Sequence, residues 1–94
     1  THDIFYLEAD NKNCFIGLRN GKVRCKKTMA RVYGNLPKTH FGKINRAYVV
    51  NFNYITGYNN ECISLVNGKT LHISRNYYKS FKDEYKSFAD PHVI

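Results

Sequence analysis

Apolar residues along the first half of the chain fall in short runs with a period near two, separated by polar turn formers, and that pattern predicts strands. Ile4-Phe5-Tyr6-Leu7 is a compact apolar run and reads as a buried strand. Glu8 to Asn13 is polar and rich in Asn and Asp, so it reads as a loop. Cys14 to Arg19 resumes as a strand, with Cys14, Ile16 and Leu18 on one face. Asn20-Gly21 follows, and both residue types tolerate the positive φ of a type I′ hairpin turn. Lys22 to Lys26 then returns, with Val23 and Cys25 alternating against Lys22, Arg24 and Lys26, so its polar face is entirely cationic.

The period changes after Thr28, which reads as a helix N-cap. Met29, Val32, Tyr33 and Leu36 recur at helical spacing, and Pro37 ends that short helix. A strand is expected near Phe41 to Ile44, then a tight turn at Asn45-Arg46-Ala47. Tyr48-Val49-Val50 is short, β-branched and too hydrophobic for a surface segment, so it reads as a buried anchor for the turn before it. Phe52 to Tyr58 and Cys62 to Val66 are strands around an Asn59-Asn60 turn, and Asn67-Gly68 leads into Thr70 to Ile73. Three hairpin turns make antiparallel β the dominant architecture.

Ser74 is expected to cap a final helix. Tyr77, Phe81, Tyr85 and Phe88 form one apolar stripe, and Arg75, Lys79, Lys82 and Lys86 form a cationic stripe opposite. A charged outer stripe is commonly a solvated face. The first turn differs, because Arg75 lies beside the unpaired amides of a helix N-terminus, a natural phosphate site.

Charge changes the picture more than length does. Fifteen Lys and Arg stand against seven Asp and Glu, for a net charge of +8 over 94 residues. So strong an imbalance self-repels and points to a polyanionic partner. The hydrophobic fraction of 43% is enough for one folded domain with a modest core and argues against a disordered tail. Cys14, Cys25 and Cys62 are odd in number and form no CxxC pair, so they read as reduced residues of a cytoplasmic protein. No apolar run is long enough to span a bilayer. The chain opens on Thr1, not Met, and reads as a piece of a longer protein.

Enzymatic signatures are missing. Asp83 and Glu84 are adjacent on the last helix and point to different sides. His72 lies two residues before Ser74, with no orienting acid nearby. No GxxxxGK or GxGxxG occurs. His2, His40, His72 and His92 share no ligand spacing with each other or with the cysteines, so neither a metal nor another cofactor is expected.

Three segments carry a resemblance. Ile4-Phe5-Tyr6-Leu7-Glu8-Ala9, then Phe41 through Asn51, then Leu71-His72-Ile73-Ser74-Arg75-Asn76-Tyr77-Tyr78-Lys79 stand in the order seen in the LytTR-type DNA-binding domain. That domain is the output module of many bacterial two-component response regulators. The resemblance covers most of the chain, from Asp3 to Phe88. It implies an elongated, mainly β fold: antiparallel hairpins with a short middle helix and a C-terminal helix packed on the flanks. It also implies duplex DNA contact through loops that enter successive major grooves, with no recognition helix.

By position, the resemblance makes Asp10 to Cys14 the first DNA-facing loop, carrying Lys12, Asn13 and Cys14. Lys43 to Ala47 is the second, with Arg46 in the main base-reading place and Asn45 beside it. Arg75 is the third contributor, with Asn76 and Lys79 close by. Lysines such as Lys12, Lys43 and Lys79 would grip phosphate, and Arg46 would read a guanine edge. The family often has His and Ser flanking the reading Arg, where this chain has Asn45 and Ala47, and Asn45 is expected to be able to pair with adenine. Residues 1–94 then form one domain of a regulator whose upstream receiver or sensor lies outside this sequence. Two copies are expected on paired direct repeats.

Two other classes compete. An RNA or single-strand binding β module would expose Tyr6 and Tyr58 on one sheet face for base stacking. A basic protein-interaction module would survive loss of Arg46 and Arg75.

Overall fold

The computed structural model describes residues 3–90. Among them, eight strands and two helices follow in the order β1 (Tyr6–Asp10), β2 (Asn13–Leu18), β3 (Gly21–Cys25), α1 (Met29–Gly34), β4 (Phe41–Lys43), β5 (Tyr48–Asn51), β6 (Ile55–Tyr58), β7 (Cys62–Leu65), β8 (Thr70–His72) and α2 (Arg75–Ala89). Every strand pairing is antiparallel. One sheet has five strands in the order β3-β2-β1-β5-β4, and the other has three in the order β6-β7-β8. The molecule measures 39 × 26 × 24 Å, so it is elongated, as expected.

Alternation along β1 and β5 builds two cores. Leu7 and Val49 face one side, where Phe41, Leu36 and the α1 residues Met29, Val32 and Tyr33 cover them. Tyr6 and Val50 face the other side, against Ile63, Leu65 and Leu71 of the small sheet and Phe81 of α2. Val49 and Val50 are both fully buried, so Tyr48-Val49-Val50 is the anchor that its composition suggests. Thr28 caps α1 through its Oγ1, which accepts from the Arg31 amide at 3.3 Å.

The single buried polar residue among those described is Asn51. Its Nδ2 donates to the Ile4 carbonyl at 2.7 Å, and its Oδ1 accepts from the Asn53 amide at 2.9 Å. That second bond turns the chain. Phe52–Tyr54 is therefore a 3-10 turn, not the start of a strand, and β6 begins only at Ile55.

Other boundaries move for similar reasons. The polar Glu8 to Asn13 segment is mostly strand: Glu8, Ala9 and Asp10 pair with Phe15, Cys14 and Asn13. Only Asn11 and Lys12 are left to turn, with Asn11 at φ 57°, a left-handed conformation that Asn accepts. The β2–β3 turn is Arg19-Asn20 instead of Asn20-Gly21, because Leu18 pairs with Gly21. Arg19 is held there by two long-range contacts. Its carbonyl accepts from Asn67 Nδ2 at 3.1 Å, and its guanidinium lies 5.1 Å from the Phe5 ring centroid. Positive φ occurs only at Asn11 and Gly68 among the described residues, so the type I′ expectation fails at this turn.

The two remaining turns are longer than expected. Asn59 accepts from the amides of Glu61 and Cys62, giving a three-residue β6–β7 connection. The β7–β8 connection spans residues 66–69, with Gly68 at φ 88°.

On α2, the core stripe is Tyr78, Phe81, Tyr85 and Phe88. Tyr77 is displaced from it by one residue and lies instead with its ring 6.0 Å from Lys43 Nζ. Phe81 is fully buried, and burying such a ring contributes roughly 1.5–3 kcal/mol. The cationic stripe is not uniformly free either, since Lys82 Nζ sits 5.3 Å over the Tyr78 ring.

Candidate nucleic-acid interface

The three candidate loops come from distant parts of the sequence, and backbone hydrogen bonds join them. The Ile44 amide donates to the Tyr48 carbonyl at 3.1 Å, closing a tight bend with Arg46 at its tip. The Ala9 amide, just before the first turn, donates to the Ala47 carbonyl at 2.7 Å. The Ser74 amide, just before α2, donates to the Ile44 carbonyl at 2.9 Å. The bend is therefore bonded to the first loop region on one side and to the α2 entry on the other.

Asn45 locks the same bend from within. Its Oδ1 accepts from the Ala47 amide at 2.7 Å, and its Nδ2 donates to the His72 carbonyl of β8 at 2.7 Å. The residue is half-buried, and its amide is committed to the fold at both ends. Those two bonds fix the amide's orientation beneath the tip of the bend, so the structure casts Asn45 as the brace for Arg46.

Arg46 itself is exposed and has no bonded partner among the described residues. A guanidinium on a fixed base is preorganised for a planar, two-point acceptor such as a guanine edge or a phosphate. Arg75 opens α2 and is likewise exposed and unpaired. Ser74 has N-cap backbone geometry, φ −77° and ψ 144°, but its hydroxyl makes no capping bond. The leading amides of α2 are thus not satisfied by that side chain, and they add positive potential beside Arg75. Asn76 and Lys79 are exposed in the same opening turns.

The first loop is a narrower feature than expected. Lys12 is exposed at the β1–β2 turn and Asn13 is half-buried in the first pair of β2. Cys14 is a correction: it lies inside β2 at 1% exposure and presents no surface to a ligand. Burial, followed by the neighbouring Cys25, pushes its thiol pKa up. Lys43 is half-buried against Tyr77, which leaves its ammonium near the bend with a restricted reach.

Glu8, in the strand beside the bend, is bonded by Lys22 at 2.9 Å. That bond raises the Lys22 pKa above its ordinary value. Tyr48 is raised too, by burial first and then by the charge of Glu8.

Two features had not been read from the sequence. One is the Asn45 brace, for which the local half was available: Asn followed two residues later by a bonded amide is an Asx turn. The other is a polar groove of about 430 Å³ beside Arg75, lined by Asn60, Glu61, His72, Ile73 and Tyr78. The stacking surface required by a single-strand binding module is absent at its named residues. Tyr6 is buried, and Tyr58 packs edge-on to Phe81 and Tyr85 at 5.2 and 5.5 Å.

Comparison with known proteins bears on the family and the fold. The model of the LytTr DNA-binding domain family matches residues 1–86. Among solved structures, the chain is similar to the LytTr DNA-binding domain of a putative methyl-accepting/DNA response regulator from Bacillus cereus. The two share 24% identity and a TM-score of 0.80, over 88% of this chain and 81% of that one, a likeness of fold. No curated protein matches.

Proposed function

The chain belongs to the LytTr DNA-binding domain family, and on that premise we propose that it binds duplex DNA sequence-specifically through the Arg46 bend and its two bonded neighbours. The observation that carries this reading is the backbone bonding of the Arg46 bend to β1 and to the entry of α2, with Arg46 and Arg75 both exposed and unpaired among the described residues. Loops of this kind enter successive major grooves. Arg46 reads a base edge, and Arg75 reads a second or grips the adjoining phosphate beside the α2 amides. Lys12, Lys43 and Lys79 hold phosphates, with Asn13 and Asn76 supplying neutral polar contacts. Asn45 positions Arg46 and does not itself read a base.

In this reading the domain is the output module of a bacterial response regulator, working in the cytoplasm, with a receiver or sensor domain upstream. It chemically transforms nothing and occupies paired direct repeats as two copies. No helix among the described residues is long and apolar enough to cross a membrane.

The test is selection of binding sites from random duplex DNA, followed by a salt titration of the winner against scrambled duplex and single-stranded RNA. An enriched motif that disappears in Arg46→Ala and Arg75→Ala, with the fold intact, supports direct readout. Equal binding to every polyanion with a steep salt slope overturns it in favour of general electrostatic attraction.

A further inference from the structure

Cys14 and Cys25 stand directly opposite each other in the antiparallel register of β2 and β3. Opposed residues in such a pair have Cα atoms about 4.5–5.5 Å apart, inside the roughly 4.4–6.8 Å that a disulfide spans. Cross-strand partners also project to the same face, so the two thiols share the row Ala9, Cys14, Cys25. Both are reduced, Cys14 buried and Cys25 half-buried. Cys62 lies in the other sheet opposite His72, so its register supplies no thiol partner.

We propose that Cys14 and Cys25 are a redox modification site, closing reversibly into an intramolecular disulfide when a small disulfide oxidant such as oxidised glutathione is present. Cys25 is the entry point, because it alone of the two reaches solvent. Its thiolate attacks one sulfur of the oxidant, forming a mixed disulfide and releasing a glutathione thiolate. Cys14 passes its proton to that thiolate and attacks Cys25 Sγ. The second glutathione leaves as a thiolate and takes the proton first lost by Cys25. Two protein thiols are oxidised to one disulfide, and the oxidant is reduced to two thiols. The raised pKa of Cys14 lowers its thiolate fraction and so slows this second step.

The bridge has a path to the DNA-facing surface. A disulfide holds its Cβ atoms near 3.8 Å, closer than the roughly 4.5–5.5 Å of ordinary cross-strand neighbours, so closure draws β2 and β3 together. Cys14 pairs with Ala9 on its other side, and the Ala9 amide holds the Ala47 carbonyl next to Arg46. The oxidised protein therefore binds its selected duplex on the order of tenfold more weakly, and a dithiol reductant restores binding. This consequence rests on the Arg46 reading above.

The experiment treats the whole chain with oxidised glutathione, then measures intact mass, maps cross-linked peptides and titrates the selected duplex. The expected result is a mass lower by two hydrogens, a Cys14–Cys25 peptide, and the loss of affinity. Cys62→Ser behaves as wild type. Cys25→Ser forms no bridge, and its affinity does not respond to oxidant. Cys25→Ser is the informative variant if Cys14→Ser, at a buried site, fails to fold. A stable glutathione adduct on wild type, or a disulfide between two chains, overturns the modification. A mapped bridge with unchanged affinity overturns its link to the DNA surface. A failure of the Arg46 reading is separately visible, because reduced Arg46→Ala would then bind as reduced wild type does.

Discussion

The side chain of Asn45 and the backbone of His72 are joined by a 2.7 Å hydrogen bond across 27 residues of sequence. The same amide accepts from Ala47, so one side chain fixes the bend both internally and against β8. Arg46 stands between the two bonded positions. Its reach is set by its own torsions, with little contribution from motion of the loop beneath it.

Asn45→Ala removes both bonds. At about 0.5–1.5 kcal/mol net per bond, the expected loss is roughly 1–3 kcal/mol of stability. Affinity for the selected duplex falls because the bend is ordered only on binding, yet the selected motif stays the same. Urea unfolding and a repeated site selection check the two halves separately. A motif that changes at one adenine would restore the base-reading role to Asn45.

Arg46→Ala and Lys79→Ala are expected to differ in kind. The first should cost about 1–3 kcal/mol of discrimination and relax one position of the motif. The second should weaken all duplexes nearly equally and reduce the salt slope by about one. Both side chains are exposed, so neither substitution should move the unfolding midpoint much. Binding isotherms at several salt concentrations, on matched and scrambled duplexes, separate the cases.

Two glycines of the β2–β3 hairpin should respond differently to a methyl group. A Cβ on Gly17 would collide with the buried Tyr6 ring, so Gly17→Ala should destabilise by about 1–3 kcal/mol. Gly21 has no heavy atom within 4 Å of an added Cβ and lacks a positive φ. Gly21→Ala should therefore be within about 0.5 kcal/mol of wild type. A type I′ turn at Asn20-Gly21 would demand the reverse for Gly21, so the unfolding midpoint of this variant tests the turn register itself.

What was legible in the sequence was local. Compact apolar runs located the buried segments that hold Leu7, Val49 and Val50, and Thr28 capped its helix through a bond three residues away. The exposed Arg46 beside a buried run could also be read, because the tight turn and its anchor are contiguous. What escaped was decided by distant partners. Asn67 captures the Arg19 carbonyl from 48 residues away and shifts a turn by one position. Asn51 is buried by its bond to Ile4 from 47 residues away, and, so anchored, its Oδ1 caps the Asn53 amide and turns an expected strand into a 3-10 turn. Tyr77 and Tyr78 are equally aromatic, and only the placement of the small sheet decides which joins the core. Cys14 failed as a contact residue because Ala9 and Asp10 extend β1 and draw its partner strand inward.

Glu84 provides a pH-dependent test of α2 packing. A Cβ built on Gly42 would lie 2.8 Å from the Glu84 carboxylate, which places that group over β4 beside the buried ring of Phe52. Burial first, and then the charge of Asp83, raise its pKa above the ordinary 4.5. A carboxyl raised in the folded state opposes folding once it is ionised. Its neutral form fits the fold, so the favourable contribution is complete below about pH 4.5 and is lost as pH rises through the raised value. Glu84→Gln keeps the shape and removes the charge. It should raise the melting temperature at pH 7, and the gain should shrink to nothing as pH falls below about 4.5. Melting curves of both proteins between pH 3.5 and pH 8, at one salt concentration, decide the matter. A variant less stable than wild type at pH 7 would mean that the ionised carboxylate holds a partner across the β4 edge.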